Sequence, residues 1–310
     1  MQAKYTRERY MAIKTVQAVI DGQTYNLTYD GASGKYKATI TAPGKTSYNQ
    51  TGGYYNVTVK ATNDAGTTGT ADGATLSGLK LVVKERIAPV ITIVSPASGA
   101  YVSNNKQPVV FTVTDEAGGS GVDLTTLVVK QDDTAAASST IKTTAITNGY
   151  SVTYTPAAAL SDGSHTVTIA VSDHDGNAAV EQSTTYKLDT VPPSLNVTSP
   201  TDNLVTATAA LTVAGTTNDA TSSPVTIAVK LNGTDQGSVT VAANGSWTKQ
   251  VTLSEGTNTI VVTATDAAGQ VTSITRTVKL DTTVPTIKSA TITPNPVDAG
   301  TTMVITVEIS

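Results

Sequence analysis

The sequence predicts an all-β protein built from small β-sandwich modules in tandem, and three observations carry that expectation. The first is composition: only 14% of the 310 residues are charged, Leu is sparse, and Thr recurs beside Val, Ile and Tyr, the residue types that suit a pleated, half-buried surface. The second is a repeated strand-and-turn pattern, found at 57–66, 167–176 and 260–269. The third is a repeated joint marked by proline. No long stretch has helical periodicity.

In each copy of the strand-and-turn pattern, apolar and small polar residues alternate. Val57, Val59 and Ala61 lead to Asn63 and Gly66, Val167, Ile169 and Val171 lead to Asp173 and Gly176, and Ile260, Val262 and Ala264 lead to Asp266 and Gly269. A period of two marks a strand with one buried face. Asn or Asp followed by Gly is tight-turn chemistry, since the Asx side chain bonds its own backbone and Gly supplies a positive φ. In an immunoglobulin-like sandwich, the late F strand and the F–G turn have this form.

The joints are Leu188-Asp189-Thr190-Val191-Pro192-Pro193 and Leu280-Asp281-Thr282-Thr283-Val284-Pro285, with Lys84-Glu85-Arg86-Ile87-Ala88-Pro89 in the equivalent place earlier. Each ends one alternating strand and starts another. Proline is tolerated at strand starts and stiffens a joint relative to a Gly/Ser linker. The joints predict an N-terminal extension at 1–10, a short module at 11–86 suited to docking, full modules at 87–189 and 190–281, and an incomplete fourth module or strand-pairing tail at 282–310. The two full modules approach the length of a seven-stranded sandwich, about 100 residues. In the first module, strands are expected at 16–20, 25–29, 36–40, 55–61 and 79–83, with Asp21-Gly22 as a two-residue hairpin turn. In the last segment, Ile287 to Ile292 and Met303 to Ile309 read as two strands around Pro294-Asn295-Pro296.

Composition also excludes function classes. A formal net charge of -4, from 20 basic and 24 acidic residues, supplies no basic stripe for nucleic acid. The absence of cysteine rules out disulfides, thiolate metal sites and thiol nucleophiles. No window holds the apolar run of a membrane-spanning helix. The charged N-terminus is followed by no apolar h-region, so it does not read as a secretory signal, and export by another route is expected.

The joints, the Ser-Pro after the first strand (Ser95-Pro96 and Ser199-Pro200), Ser120-Gly121-Val122-Asp123 and Thr263 to Gly269 together resemble the tandem bacterial Ig-like domains. Such domains occur in surface adhesins, in carbohydrate-active enzymes and in phage virion proteins. The third module, with Asn244-Gly245-Ser246-Trp247 and Leu253 to Asn258, is similar to the variant that accompanies some glucan-degrading enzymes. Met11 to Val16 and Ile292 to Val297 resemble Ig-like proteins encoded in prophages. The resemblance implies immunoglobulin-like sandwiches arranged as beads on a string. It also implies a non-enzymatic structural or adhesion role, first as a phage virion component, a decoration or tail-associated protein that weakly binds host-surface or mucus glycans. The alternatives are a stalk fragment of a bacterial cell-surface adhesin and an accessory module of a secreted carbohydrate-active enzyme. The implied partners are other virion or surface proteins, host-surface carbohydrate and further copies of the chain.

The chemistry-bearing residues are few. The two histidines, His165 and His174, flank one strand of the second module, and His165 reads as a strand-end residue rather than half of a catalytic pair. No cofactor is expected other than calcium. Asp173 and Asp175, alternating ahead of Gly176, resemble the start of a calcium loop, and Asp189 and Asp281 stand at the joints. The competing reading of Asp173 and Asp175 is plain turn chemistry. Trp247 is expected in the core rather than as a sugar platform. Tyr48, Tyr54 and Tyr55, close to Asn49 and Gln50, form a candidate binding surface, with core packing as the alternative.

Overall fold

The computed structural model describes residues 12–241 and 244–310; the N-terminal extension expected at 1–10 lies outside them. The chain is strand-dominated, with two short 3-10 turns at Ser77–Leu79 and Ser138–Thr140, and it divides into two compact units. One contains residues through Ala100, Lys106–Leu160 and Ser164–Tyr186. The other contains Tyr101–Asn105, Ser161–Gly163 and Lys187–Ser310.

In the first unit, strands Lys35–Lys37, Gln23–Asp30, Ile13–Ile20, Thr58–Asn63 and Thr68–Ala71 form one antiparallel sheet in that order. Asp21 and Gly22 both have positive φ (48° and 74°), the geometry a two-residue hairpin of this hand requires. Val16, Ala18 and Ile20 alternate onto the buried face. Several expectations are corrected, among them the strand expected at 79–83, which is limited to Lys80–Leu81. The strand expected at 55–61 divides at Val57: Tyr55–Asn56 pairs with Lys80–Leu81, and Thr58–Asn63 pairs with Ile13–Ile20. The strand expected at 36–40 stops at Lys37. Thr68–Ala71 was not foreseen because Thr-Gly-Thr-Ala has no apolar alternation to read.

The same unit holds most of the second module. Its four-stranded sheet runs Ile141–Ile146, Gly149–Tyr154, Val109–Thr114, Val90–Ser95, and its second sheet is built on Val122–Gln131, Gly163–Asp173 and Gln182–Leu188. Inward residues alternate as the period-2 pattern requires: Val109, Phe111, Val113 and Val152 from one sheet, and Val129, Val167, Ile169 and Tyr186 from the other, are fully buried.

In the second unit, Tyr101–Val102 pairs in parallel with Lys187 and Leu188. The third module follows: Ser194–Ser199, Ala210–Asn218 and Asn244–Thr252 form one sheet, and Leu204–Thr206, Val271–Leu280, Gly256–Thr265, Val225–Leu231 and Thr234–Val241 form the other. One core cluster joins Val213, Ile227, Val229, Trp247, Ile260, Val262 and Leu280 with their neighbours. Trp247 is 3% exposed, as expected of a core residue. Gly215 sits across the ladder from it, and a Cβ there would lie 2.6 Å from the indole ring and 2.1 Å from the Asn196 carbonyl oxygen. At the end of the chain, Ile287–Thr293 and Val304–Ile309 form an antiparallel hairpin in which every residue is exposed.

Candidate functional site

The sequence candidates have mixed fates. Asp173 is buried, but its carboxylate is saturated by one residue: Oδ1 accepts from the Asn177 main-chain N at 2.8 Å and Oδ2 from the Asn177 side-chain amide at 2.7 Å. The Asp175 carboxylate turns elsewhere, and its Oδ2 accepts from Thr46 Oγ1 at 2.5 Å and the Glu85 main-chain N at 3.0 Å. The two carboxylates do not converge as a loop of calcium ligands, because Asp173 ends its strand and is held by Asn177 while Asp175 lies in the turn and is held by Thr46 and the Glu85 amide. Among the described residues Asp281 joins no carboxylate group either. The Thr283 hydroxyl, Lys279 and the Thr283 amide hold its carboxyl down to about 2.

Asp189 is different. It is fully buried, and one carboxylate oxygen from each of Asp189, Asp219 and Asp266 lies within 4.8 Å of the other two. The residues come from three parts of the third module: the entering joint, the turn after Ala210–Asn218, and the turn after Gly256–Thr265. Local amides aim each one. Val191 N donates to Asp189 Oδ1 at 3.0 Å, Ser222 N to Asp219 Oδ1 at 2.9 Å, and Gln270 N to Asp266 Oδ1 at 2.8 Å. The Ser222 hydroxyl donates to Asp189 Oδ2. Asp266 Oδ2 is buried with no hydrogen-bond partner. Burial above all, and then the Asp219 and Asp189 charges, push the Asp266 carboxyl up, against the pull of the Gln270 amide and Ser222.

The second module carries a counterpart. Glu85 and Asp189 stand at the same spacing ahead of Pro89 and Pro193, and Asp115 follows Val109–Thr114 as Asp219 follows Ala210–Asn218. Glu85, Asp115 and Glu116 converge within the same 4.8 Å limit. Gly121 N donates to Asp115 Oδ2 at 2.7 Å and Ser120 N donates to Glu85 Oε1, while Glu85 Oε2, Asp115 Oδ1 and Glu116 Oε2 are buried without partners. In the sequence Glu85 reads only as part of a joint and Asp266 only as a turn residue, and nothing local marks Asp115, Glu116 or Asp219. The available signal was an Asp directly after the same alternating strand in both modules.

Of the tyrosines, Tyr55 is a correction. It is buried, with its hydroxyl donated to the Lys45 carbonyl, because this position faces inward on its short strand. Tyr54 is half-buried beneath the Lys80 ammonium, which is 4.8 Å from the ring centre. Tyr48 remains 46% exposed, with its ring stacked on His174 at 4.4 Å and 9°. It borders a cavity of about 370 Å³ lined also by Asn49, Asp115, Glu116, Tyr150 and His174.

His165 has a structural neighbour. Its Nδ1 is 2.7 Å from Asp132 Oδ2, and Asp132 Oδ1 accepts from Thr166 N. In the third module Asn258 and Asn232 hold the same two positions, Asn232 accepting from Thr259 N and donating to Asn258. The pair therefore fastens a hairpin turn to the next strand in both modules.

Residues 97–190 match the family model "Bacterial Ig-like domain", and residues 193–282 match "Glucodextranase, domain B". No curated protein matches the chain. Similar solved structures include the fibronectin(III)-like modules of CbhA from Clostridium thermocellum, 21% identical over 62% of this chain and 94% of that one, with a TM-score of 0.42. A domain segment of titin is 12% identical over 85% of each chain, with a TM-score of 0.41. The Bacteroides ovatus protein SGBP-B, solved in complex with a mixed-linkage heptasaccharide, is 16% identical over 90% of this chain and 62% of that one, with a TM-score of 0.22. With a bacterial Ig-like match in the second module, a glucodextranase domain B match in the third and two-sheet architecture in both, the chain is a tandem Ig-like β-sandwich protein.

Proposed function

We propose that the chain is a non-catalytic display protein that weakly binds surface or mucus glycans through the Tyr48 edge of the cavity beside the second module. The observation that carries this reading is the Tyr48 ring, stacked on His174 yet 46% exposed at the rim of a polar cavity. A ring already held on one side loses little freedom when a sugar stacks on the other, and Asn49 and Tyr150 supply polar contacts alongside. Asn49 is itself positioned, its side-chain amide donating to the Gly119 carbonyl at 2.6 Å. The match of the third module to a domain of a glucodextranase supports a carbohydrate setting.

In this proposal the chain is carried on a virion, as the resemblance of its opening and closing segments to prophage-encoded Ig-like proteins suggests. A second reading, an accessory segment of a secreted carbohydrate-active enzyme, is favoured by the glucodextranase match. Two measurements test the proposal. On an array of mucin and cell-wall glycans the chain should give weak, saturable signals that Tyr48→Ala abolishes, and signals unchanged by that substitution would defeat the assignment of this edge. Proteomics of density-purified particles should find the chain in fixed stoichiometry, whereas recovery with a secreted hydrolase would favour the second reading.

A further inference from the structure

We propose that Asp189, Asp219 and Asp266 form a calcium site in the third module, and that Glu85, Asp115 and Glu116 form its counterpart in the second. The argument starts from burial. Asp189, Asp219 and Asp266 are 0%, 7% and 6% exposed, and buried carboxylates at this separation are strongly unfavourable unless paired with positive charge. Among the described residues, none of the four ion pairs involves any of the three, nor any of Glu85, Asp115 and Glu116.

A second, independent observation points to a ligand. Asp266 Oδ2 is buried, has no hydrogen-bond partner and belongs to a side chain more than nine-tenths buried among these carboxylates. Asp115 Oδ1 repeats this in the second module, with Glu85 Oε2 and Glu116 Oε2 beside it. Native proteins leave few such atoms unsatisfied, and four in two equivalent groups call for a shared partner. Local amides already aim Asp189, Asp219 and Asp266, so their remaining oxygens are positioned before anything binds.

The donors select the cation. All are carboxylate oxygens, with no imidazole or thiolate, which specifies a hard ion. Mg²⁺ demands near-ideal octahedral geometry and dehydrates reluctantly, whereas Ca²⁺ takes six to eight oxygens in flexible geometry, so carboxylates gathered from three separate segments suit the larger ion. A proton is the competing occupant, because it too would relieve the repulsion, and the two make opposite predictions for one substitution.

The test uses the full chain, freed of metal with EDTA and dialysed. Calorimetric titration with CaCl2 should show saturable uptake at two sites. Trp247 fluorescence, which reports the third module, should give a melting temperature raised by about 5 °C or more at saturating calcium, and by less with MgCl2 at the same concentration. Asp266→Asn should melt higher than the native chain in EDTA, where it removes repulsion, and lower than the native chain in calcium, where it removes a ligand. Glu85→Gln should reduce the stoichiometry to one site, and Asp281→Asn should leave both. Absence of saturable uptake at millimolar CaCl2, or a shift of the same sign for Asp266→Asn in both buffers, overturns the third-module site. A native stoichiometry of one that Asp266→Asn abolishes overturns the second-module site.

Discussion

Asn177 closes both oxygens of Asp173, whereas Gln270, which follows Asp266 at the same spacing, closes only one oxygen of Asp266 with its main-chain N. A single side-chain difference at matching turns thus separates a self-contained turn from a carboxylate that faces its acidic neighbours. Replacing Asn177 with Ala should leave Asp173 Oδ2 buried and bare. The expected cost to the second module is about 1–3 kcal/mol, read as a shift of its unfolding transition by circular dichroism or scanning calorimetry.

The converse substitution tests the same relationship in the third module. Gln270→Asn shortens the side chain to the length that serves Asp173 in the second module. In EDTA it should raise the Trp247-reported melting temperature, and in calcium it should weaken uptake at the Asp189–Asp219–Asp266 site. Unchanged melting in EDTA would mean that the shorter amide does not reach Asp266 Oδ2.

Gly215 makes room for Trp247. A methyl group at this position would meet the Asn196 carbonyl oxygen at 2.1 Å and the indole at 2.6 Å, and neither the backbone nor the packed ring can move away freely. Gly215→Ala is expected to cost about 1–3 kcal/mol by overpacking, and Trp247→Ala about 3–5 kcal/mol by cavity formation. Denaturant unfolding followed by Trp247 fluorescence reads the first, and circular dichroism the second.

Alkaline stability should depend on Tyr186. Burial, then the Asp132 charge and Tyr154, push its phenol up to about 12, opposed by a hydrogen bond to Gln131. A tyrosine is neutral when protonated, so between about pH 10 and 12 the unfolded chain loses this proton while the folded chain keeps it. The unfolded state then binds fewer protons, and stability falls as pH rises through this window, by on the order of 2 kcal/mol. Burial and the Asp132 charge push Tyr154 up as well, so spectrophotometric titration should show late-ionising tyrosines whose latest component is absent in Tyr186→Phe, and alkaline unfolding of that variant should move to higher pH.

Removing residues 284–310 should leave the third module intact. Every residue of the terminal hairpin is exposed, so its loss removes no buried contact from the core around Trp247. The Trp247-reported melting temperature of the shortened chain should match that of the full chain, and a marked drop would reveal a contribution of the hairpin to the module.

Fold class and the inward residues of the repeated strand in the second and third modules could be read from the chain, because a half-buried strand writes its buried face into a period of two: Val167, Ile169 and Val171, or Ile260, Val262 and Ala264. The turns at Asp21-Gly22 and around Asp173 and Asp266 were legible for the same local reason, since Asx and Gly are needed where the backbone turns. The strand Thr68–Ala71 and the break at Val57 were not, because the ladders they join are decided by distant partners rather than by their own pattern. The acidic groups belong wholly to tertiary structure. Asp189, Asp219 and Asp266 are far apart along the chain and each looks like an ordinary turn or joint residue, while Asp173 and Asp175, two residues apart, read as one site and bond different partners. Whether a carboxylate is satisfied at home or shared with neighbours depends on which loops the two sheets bring to the same end of the sandwich, and that is set by packing across the whole module.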